Sequence, residues 1–201
     1  MPLAPALRSS LRAPTAASMA RPKIKLYVDT LSPFAYEAYY ILRNEEVFKA
    51  CDITYVPIFL GGLIRKCGNT PPIKIKNKDK WIGLERLRWA QHFSIPITQS
   101  LPPDFPAPTL PIMCAMCAIE ASDKTNSSSN SQPNLTKALD TFFQKHWVDG
   151  VGTHKPEVLK ETLVGLFGEA EAERSTFFFL SFFRFFPTTP QNLPMLLLAL
   201  S

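Results

Sequence analysis

An α/β domain with a helical insertion is what the sequence predicts, on three observations. A strand pattern, a helix pattern and a second strand pattern follow one another over residues 23–62; helix-period segments without a further strand fill 63–174; and 175–201 shows neither period cleanly. A chain of 201 residues can hold one domain with a sizeable core and an insertion, but is cramped for two.

The elements follow in order. Lys23 to Asp29, "KIKLYVD", alternates enough to be a first strand. Pro33 to Asn44 then reads as a helix that packs Phe34, Tyr36, Tyr39, Tyr40 and Leu42 against it, opened by the cap-and-first-turn pair Ser32-Pro33. "CDITYVPIFLG" supplies a second strand, parallel to the first if the helix is a right-handed crossover. Gly61 to Lys80 reads as a basic loop. In "WIGLERLRWAQHF", Trp81, Leu84, Leu87 and Phe93 recur at helical intervals. A proline connector, "LPPDFPAPTLP", leads into a helix holding Met113 to Ala121, and a polar loop, "SDKTNSSSNSQPN", follows it. Two amphipathic helices complete the insertion: Leu135 to Trp147, and one entered at Pro156 with Leu159, Leu163 and Leu166 inward and Gly168 at its stop.

The two ends differ from the middle. Residues 1–22 are rich in Ala, Ser and Arg without acids, the composition of a mitochondrial presequence, although prolines weaken its helix and Met19 offers an alternative start. The segment 175–201 is Phe- and Leu-rich, broken by Arg184 and Pro187, and too short and interrupted to span a bilayer well. It reads as an aberrant tail, with a membrane-surface role ranked below a translated intron or frame error.

Net charge is +5, but Arg8, Arg12, Arg21, Lys23 and Lys25 all precede the first acid, Asp29, so the remainder is neutral. That balance implies no nucleic-acid surface. The four cysteines, without a secretory signal, are expected as reduced thiols. Cys114-Ala115-Met116-Cys117 has redox spacing but lies in an apolar helix, far from a strand-to-helix turn, and reads as a buried pair. His146 and His154 do not follow these cysteines at zinc spacing, so no metal site is expected.

Two stretches can carry chemistry. A hydroxyl at position 32, at a helix N-terminus, can donate to an anion brought from outside; a thiolate held by a hydroxyl and a helix's positive end is nucleophilic at neutral pH. The protein need not own the sulfur if its substrate supplies one. "RKCGNTPPIKIKNKDK", Arg65 to Lys80, offers the Asn69 amide and four lysines as a field for a carboxylate-bearing ligand, or is simply a solvated basic loop.

Taken together, "KLYVDTLSPFAY", "CGNTPP", the lysine-bearing stretch and "FSIPI" resemble the kappa-class glutathione transferases and the related 2-hydroxychromene-2-carboxylate isomerases. The resemblance covers about Lys23 to Arg174 and looks close to the fungal members. It implies a thioredoxin-like (DsbA-like) domain with a helical insertion, in which Ser32 and Ala35 stand where a Cys-Pro-x-Cys would. It implies a transferase using glutathione as cosubstrate, with no metal, on small electrophiles or peroxides. Ser32 would stabilise the glutathione thiolate, Asn69 would be a polar contact in the cleft, and Lys78 would meet a glutathione carboxylate, with Lys76 and Lys80 as alternatives. A homodimer in mitochondria or peroxisomes is implied as well; translation from Met19 without a signal would leave the protein cytoplasmic.

The resemblance fails after Arg174. Such a domain should return to its core with a cis-proline, an antiparallel strand pair and a last helix; Pro187, Pro190 and Pro194 do not sit between recognisable strands. The C-terminal half of the thioredoxin core is therefore read as missing, with an aggregation-prone product of little glutathione affinity as the consequence. Three readings stand: a kappa-like transferase, a glutathione-dependent chromene-carboxylate isomerase, and an inactive fragment or gene-model error.

Overall fold

The computed structural model describes residues 20–102, 104–126 and 131–175. Strand β1 (Lys23–Val28) leads through a tight turn into helix α1 (Pro33–Asn44), and a short 3-10 turn precedes strand β2 (Asp52–Pro57). The two strands pair in parallel, Lys23 opposite Asp52 through Val28 opposite Pro57. This is the strand-helix-strand unit expected from the sequence.

Helix α1 joins the sheet to the rest. It buries Tyr36 and Tyr39, whose rings pack on Phe143 at 5.2 Å each, while Tyr39 also meets Tyr55 of β2 at 4.9 Å. The tyrosines keep their polar ends satisfied: the Tyr36 hydroxyl donates to the Pro96 carbonyl at 2.7 Å and that of Tyr39 to Asp140 Oδ1 at 2.7 Å.

The remaining elements are helices: α2 (Leu60–Lys66), α3 (Lys78–His92), α4 (Leu110–Asn126), α5 (Pro133–Phe143), α6 (Pro156–Phe167) and a further helical run at 169–175, here α7. α5 runs on into a π-helical turn, Gln144–Val148, and α6 stops where Gly168 adopts φ +81°. Leu159 and Leu163 point inward as the pattern predicts, and Leu166 packs against the same core.

At the outer edge of β2 one residue, Tyr55, is paired by a side chain. Gln132 accepts the Tyr55 N–H and donates to the Tyr55 carbonyl, both at 2.8 Å, so an amide occupies the place of a neighbouring strand. Nothing in the local sequence signals this, because Gln132 lies 77 residues away.

One expectation is corrected. Gly61 to Lys80 is not all loop: Leu60–Lys66 is a helix, Pro72–Lys74 a 3-10 turn, and α3 begins at Lys78. α3 is the helix its spacing predicts, and its apolar residues divide: Leu87 and Phe93 are half-buried, with Phe93 packed against the core. Trp81 and Leu84 are 52% and 56% exposed, whereas Arg86 and Ala90 are buried. The cause is Arg86, which donates from Nη1 to the Thr98 carbonyl at 2.7 Å and from Nη2 to that of Gln99 at 2.5 Å, fixing the segment after the helix.

The expected targeting arm at 1–19, the tail from 176 onward and Pro187, Pro190 and Pro194 lie outside the described residues. Ser175 itself is helical and buried. No helix among the described residues is long and apolar enough to cross a membrane.

Candidate active site

Ser32 is the N-cap of α1, in extended backbone at φ −86° and ψ 117°. Its Oγ accepts the Ala35 N–H at 3.2 Å, and its carbonyl accepts the Tyr36 N–H at 3.1 Å. A capping hydroxyl spends a lone pair and keeps its proton, so the half-buried Ser32 retains an O–H donor. Pro33, at the first helical position, carries no N–H and the Ala35 N–H is taken by the cap, so the helix dipole and the remaining first-turn amide, that of Phe34, give this end its positive potential.

The backbone leading into Ser32 is tied on several sides. Asp29, 2% exposed, accepts the Leu31 N–H at 3.0 Å, the Leu60 N–H at 2.8 Å and the Thr109 hydroxyl at 3.0 Å. Burial raises its carboxyl above the ordinary range, and these three donors pull it back. The buried Trp147 donates its indole N–H to the Thr30 carbonyl at 2.9 Å. Neither Thr109 nor Trp147 emerges from the sequence as a site residue, because their partners lie 80 and 117 positions away. A strand-end Asp beside the Ser-Pro turn was the available signal for Asp29.

Lys78 opens α3, after Asn77 in left-handed backbone at φ 64°. Trp81, one helical turn on, meets the Phe34 ring with centroids 6.3 Å apart, which brings the first turns of α3 and α1 together. Lys78 shares the Trp81 side of the helix, whereas Lys80 is turned about 100° from Trp81. All four lysines of this stretch, at 74, 76, 78 and 80, are exposed.

Asn69 is exposed and sits just beyond the far end of α2. Gly68, at φ +65°, ends the helix, and the Asn69 N–H returns to the Ile64 carbonyl at 3.0 Å. Leu60, at the other end of α2, is the residue bonded to Asp29, so about 10 Å of helix separates that tie from Asn69. The structure thus brings the turns of Ser32 and Lys78 together, and among the described residues no hydrogen bond joins Asn69 to either.

The cysteine pair takes no part in the bonds that hold the Ser32 turn. Cys114 and Cys117 are buried on α4, their thiols pushed up by burial to about 11 and about 12, and the Cys117 Sγ lies 3.9 Å from the Pro57 carbonyl. They are inert as thiolates at neutral pH. Among the described residues no three His, Cys, Asp or Glu side chains are grouped to hold a metal.

Residues 23–173 match the DSBA-like thioredoxin domain, three quarters of the chain. The chain belongs to that family. The α/β fold with a helical insertion expected from the sequence is the architecture found. Over 78 residues this DSBA-like domain is 33% identical to glutathione S-transferase kappa 1 of Caenorhabditis elegans, a match covering 38% of the chain and 34% of the relative. The match therefore spans about a third of that relative's length. A solved structure of a 2-hydroxychromene-2-carboxylate isomerase superposes with a TM-score of 0.57 at 22% identity, over 76% of this chain and 71% of that one. The second likeness is one of fold.

Proposed function

We propose that this chain is a glutathione-dependent enzyme of the kappa-transferase type, which places the thiol of bound glutathione at the N-terminus of α1. The observation that carries this reading is the Ser32 cap, whose O–H is left to donate at a helix's positive end. There it would stabilise the thiolate, and the helix terminus would add roughly 0.3–1 kcal/mol of favourable field. Lowering the thiol pKa in this way raises the fraction of nucleophile available to attack a small electrophile or a peroxide.

Two further contacts support the reading. Lys78, one helical turn before Trp81 on α3, would meet a glutathione carboxylate, and Asn69 would add a polar contact further out, reached by the tripeptide rather than by Ser32. The paired rings of Phe34 and Trp81 leave Trp81 half exposed beside the turn, a flat apolar surface suited to an aromatic electrophile.

Ultraviolet titration of the thiolate in the glutathione complex tests the proposal. Ser32→Ala should move its formation upward by about one pH unit or more, a tenfold loss of thiolate below the midpoint. An unchanged titration would remove Ser32 from the mechanism. The second reading is glutathione-dependent isomerisation of 2-hydroxychromene-2-carboxylate, the activity named for the solved structure that shares this fold, and a Ser32-held thiolate would serve it equally. Paired assays with an electrophile and with the chromene carboxylate separate the two.

A further inference from the structure

The turn that carries Ser32 is held by a buried carboxylate rather than by α1 alone. Asp29 Oδ1 accepts the N–H of Leu31, two residues on, and the Asp29 carbonyl accepts the N–H of Ser32 at 3.1 Å. These two bonds fix the backbone of Thr30 and Leu31, the dihedrals that aim the Ser32 side chain. The other carboxylate oxygen, Oδ2, reaches outward, to the first N–H of α2 at Leu60 and to the hydroxyl of Thr109 just before α4. One side chain thus joins the turn to two helices from distant parts of the sequence.

A carboxylate in this position is costly for a fold that needs only a turn. Burial penalises its charge, and a neutral Asn or Ser at the same place would cap the Leu31 N–H at lower desolvation cost. What the carboxylate adds is two acceptor oxygens that point in different directions and together satisfy three donors, which a neutral amide cannot do with one acceptor. We propose that Asp29 is a positioning residue for Ser32, holding the capping hydroxyl and the α1 terminus aimed at the bound thiol. This rests on the reading of Ser32 as the thiolate donor. Asp29 touches neither thiol nor electrophile and acts through the turn.

The test uses the full chain as wild type, Ser32→Ala, Asp29→Asn and Thr109→Val, each titrated with bound glutathione and followed by thiolate absorbance. Thr109→Val removes one donor to Asp29 and keeps the side-chain shape, so it decides the matter even where Asp29→Asn does not fold. The expected result is an upward shift of the thiolate midpoint of about one pH unit in Asp29→Asn, a tenfold loss of thiolate below the midpoint, and a smaller shift in the same direction in Thr109→Val. A purely structural role lowers the folded fraction, and with it the signal amplitude, but leaves the midpoint where it was. If Ser32→Ala shifts the midpoint while folded Asp29→Asn and Thr109→Val do not, the positioning role is wrong and the Ser32 reading survives. If Ser32→Ala itself leaves the midpoint unmoved, both fall.

Discussion

Helix α1 buries its tyrosines 36 and 39 and leaves only Arg43 and Asn44 fully exposed, whereas α3 buries Arg86 and Ala90 and turns Trp81, Leu84 and Trp89 outward. Both have apolar residues at helical spacing, and both are helices. The difference lies in what they pack against. α1 lies between a two-stranded sheet and α5, surfaces that accept aromatic rings. α3 adjoins the backbone of its own following segment, whose carbonyls at Thr98 and Gln99 need donors, and a guanidinium meets that need better than an indole. Periodicity therefore identifies a helix, while the face it buries is decided by the unsatisfied groups opposite.

The sharpest way to break this account is to remove the guanidinium. Arg86→Met keeps the length and apolar stem but leaves two carbonyls without charged donors, and should cost about 3 kcal/mol in chemical denaturation. A loss under about 0.5 kcal/mol would mean that the outward stripe of α3 has another cause. The same contact region predicts a pH dependence. Glu37 of α1, 4% exposed, is pushed by burial from 4.5 to about 7, with Arg86 holding it back. The folded chain binds this proton more tightly than the unfolded chain, so stability is fully present below pH 4.5 and declines as pH rises to about 7. The decline should be of order 3 kcal/mol, and Glu37→Gln should flatten it.

A smaller effect is expected at the tyrosine face of α1. Tyr39→Phe keeps the ring stack but loses the hydrogen bond to Asp140, which retains its ion pair with Arg43 at 3.2 Å, so the cost should be about 1 kcal/mol. A cost near 4 kcal/mol would show that the hydroxyl, not the ring, fastens α1 to α5.

These contrasts also explain what could be read in advance. The Ser32-Pro33 start of α1, its end at Asn44, the inward leucines of α6 and the buried cysteines of α4 are local, set by caps, spacing and apolar runs within a few residues. Ser32 as a hydroxyl at a helix N-terminus was legible for the same reason. Asp29's bonds to Leu60 and Thr109, the Trp147 tie to Thr30 and the Gln132 bonds to β2 join residues 31 to 117 positions apart, and no local pattern encodes such a pairing. α2 was hidden because Gly61 and Gly62 argue against a helix, while Asp29 supplies its first N–H with an acceptor from elsewhere in the fold.

The finest test of the comparison is on the outward side of α3. Leu84 is more than half exposed, so Leu84→Lys exchanges an apolar side chain in water for a charged one and should change stability by no more than about 0.5 kcal/mol. Trp81→Lys should cost slightly more, since it also gives up the ring contact with Phe34. The pair of measurements is informative because the two readings of α3 differ in sign of importance: if the stripe were the buried face, each substitution would place an unpaired ammonium in a core and unfold the chain. Near-neutral stability together with weakened turnover of an aromatic electrophile in Trp81→Lys alone would assign the exposed indole to the active-site mouth, and leave Leu84 as ordinary surface. Equal loss of turnover in both would instead point to a general effect of added charge on the cleft.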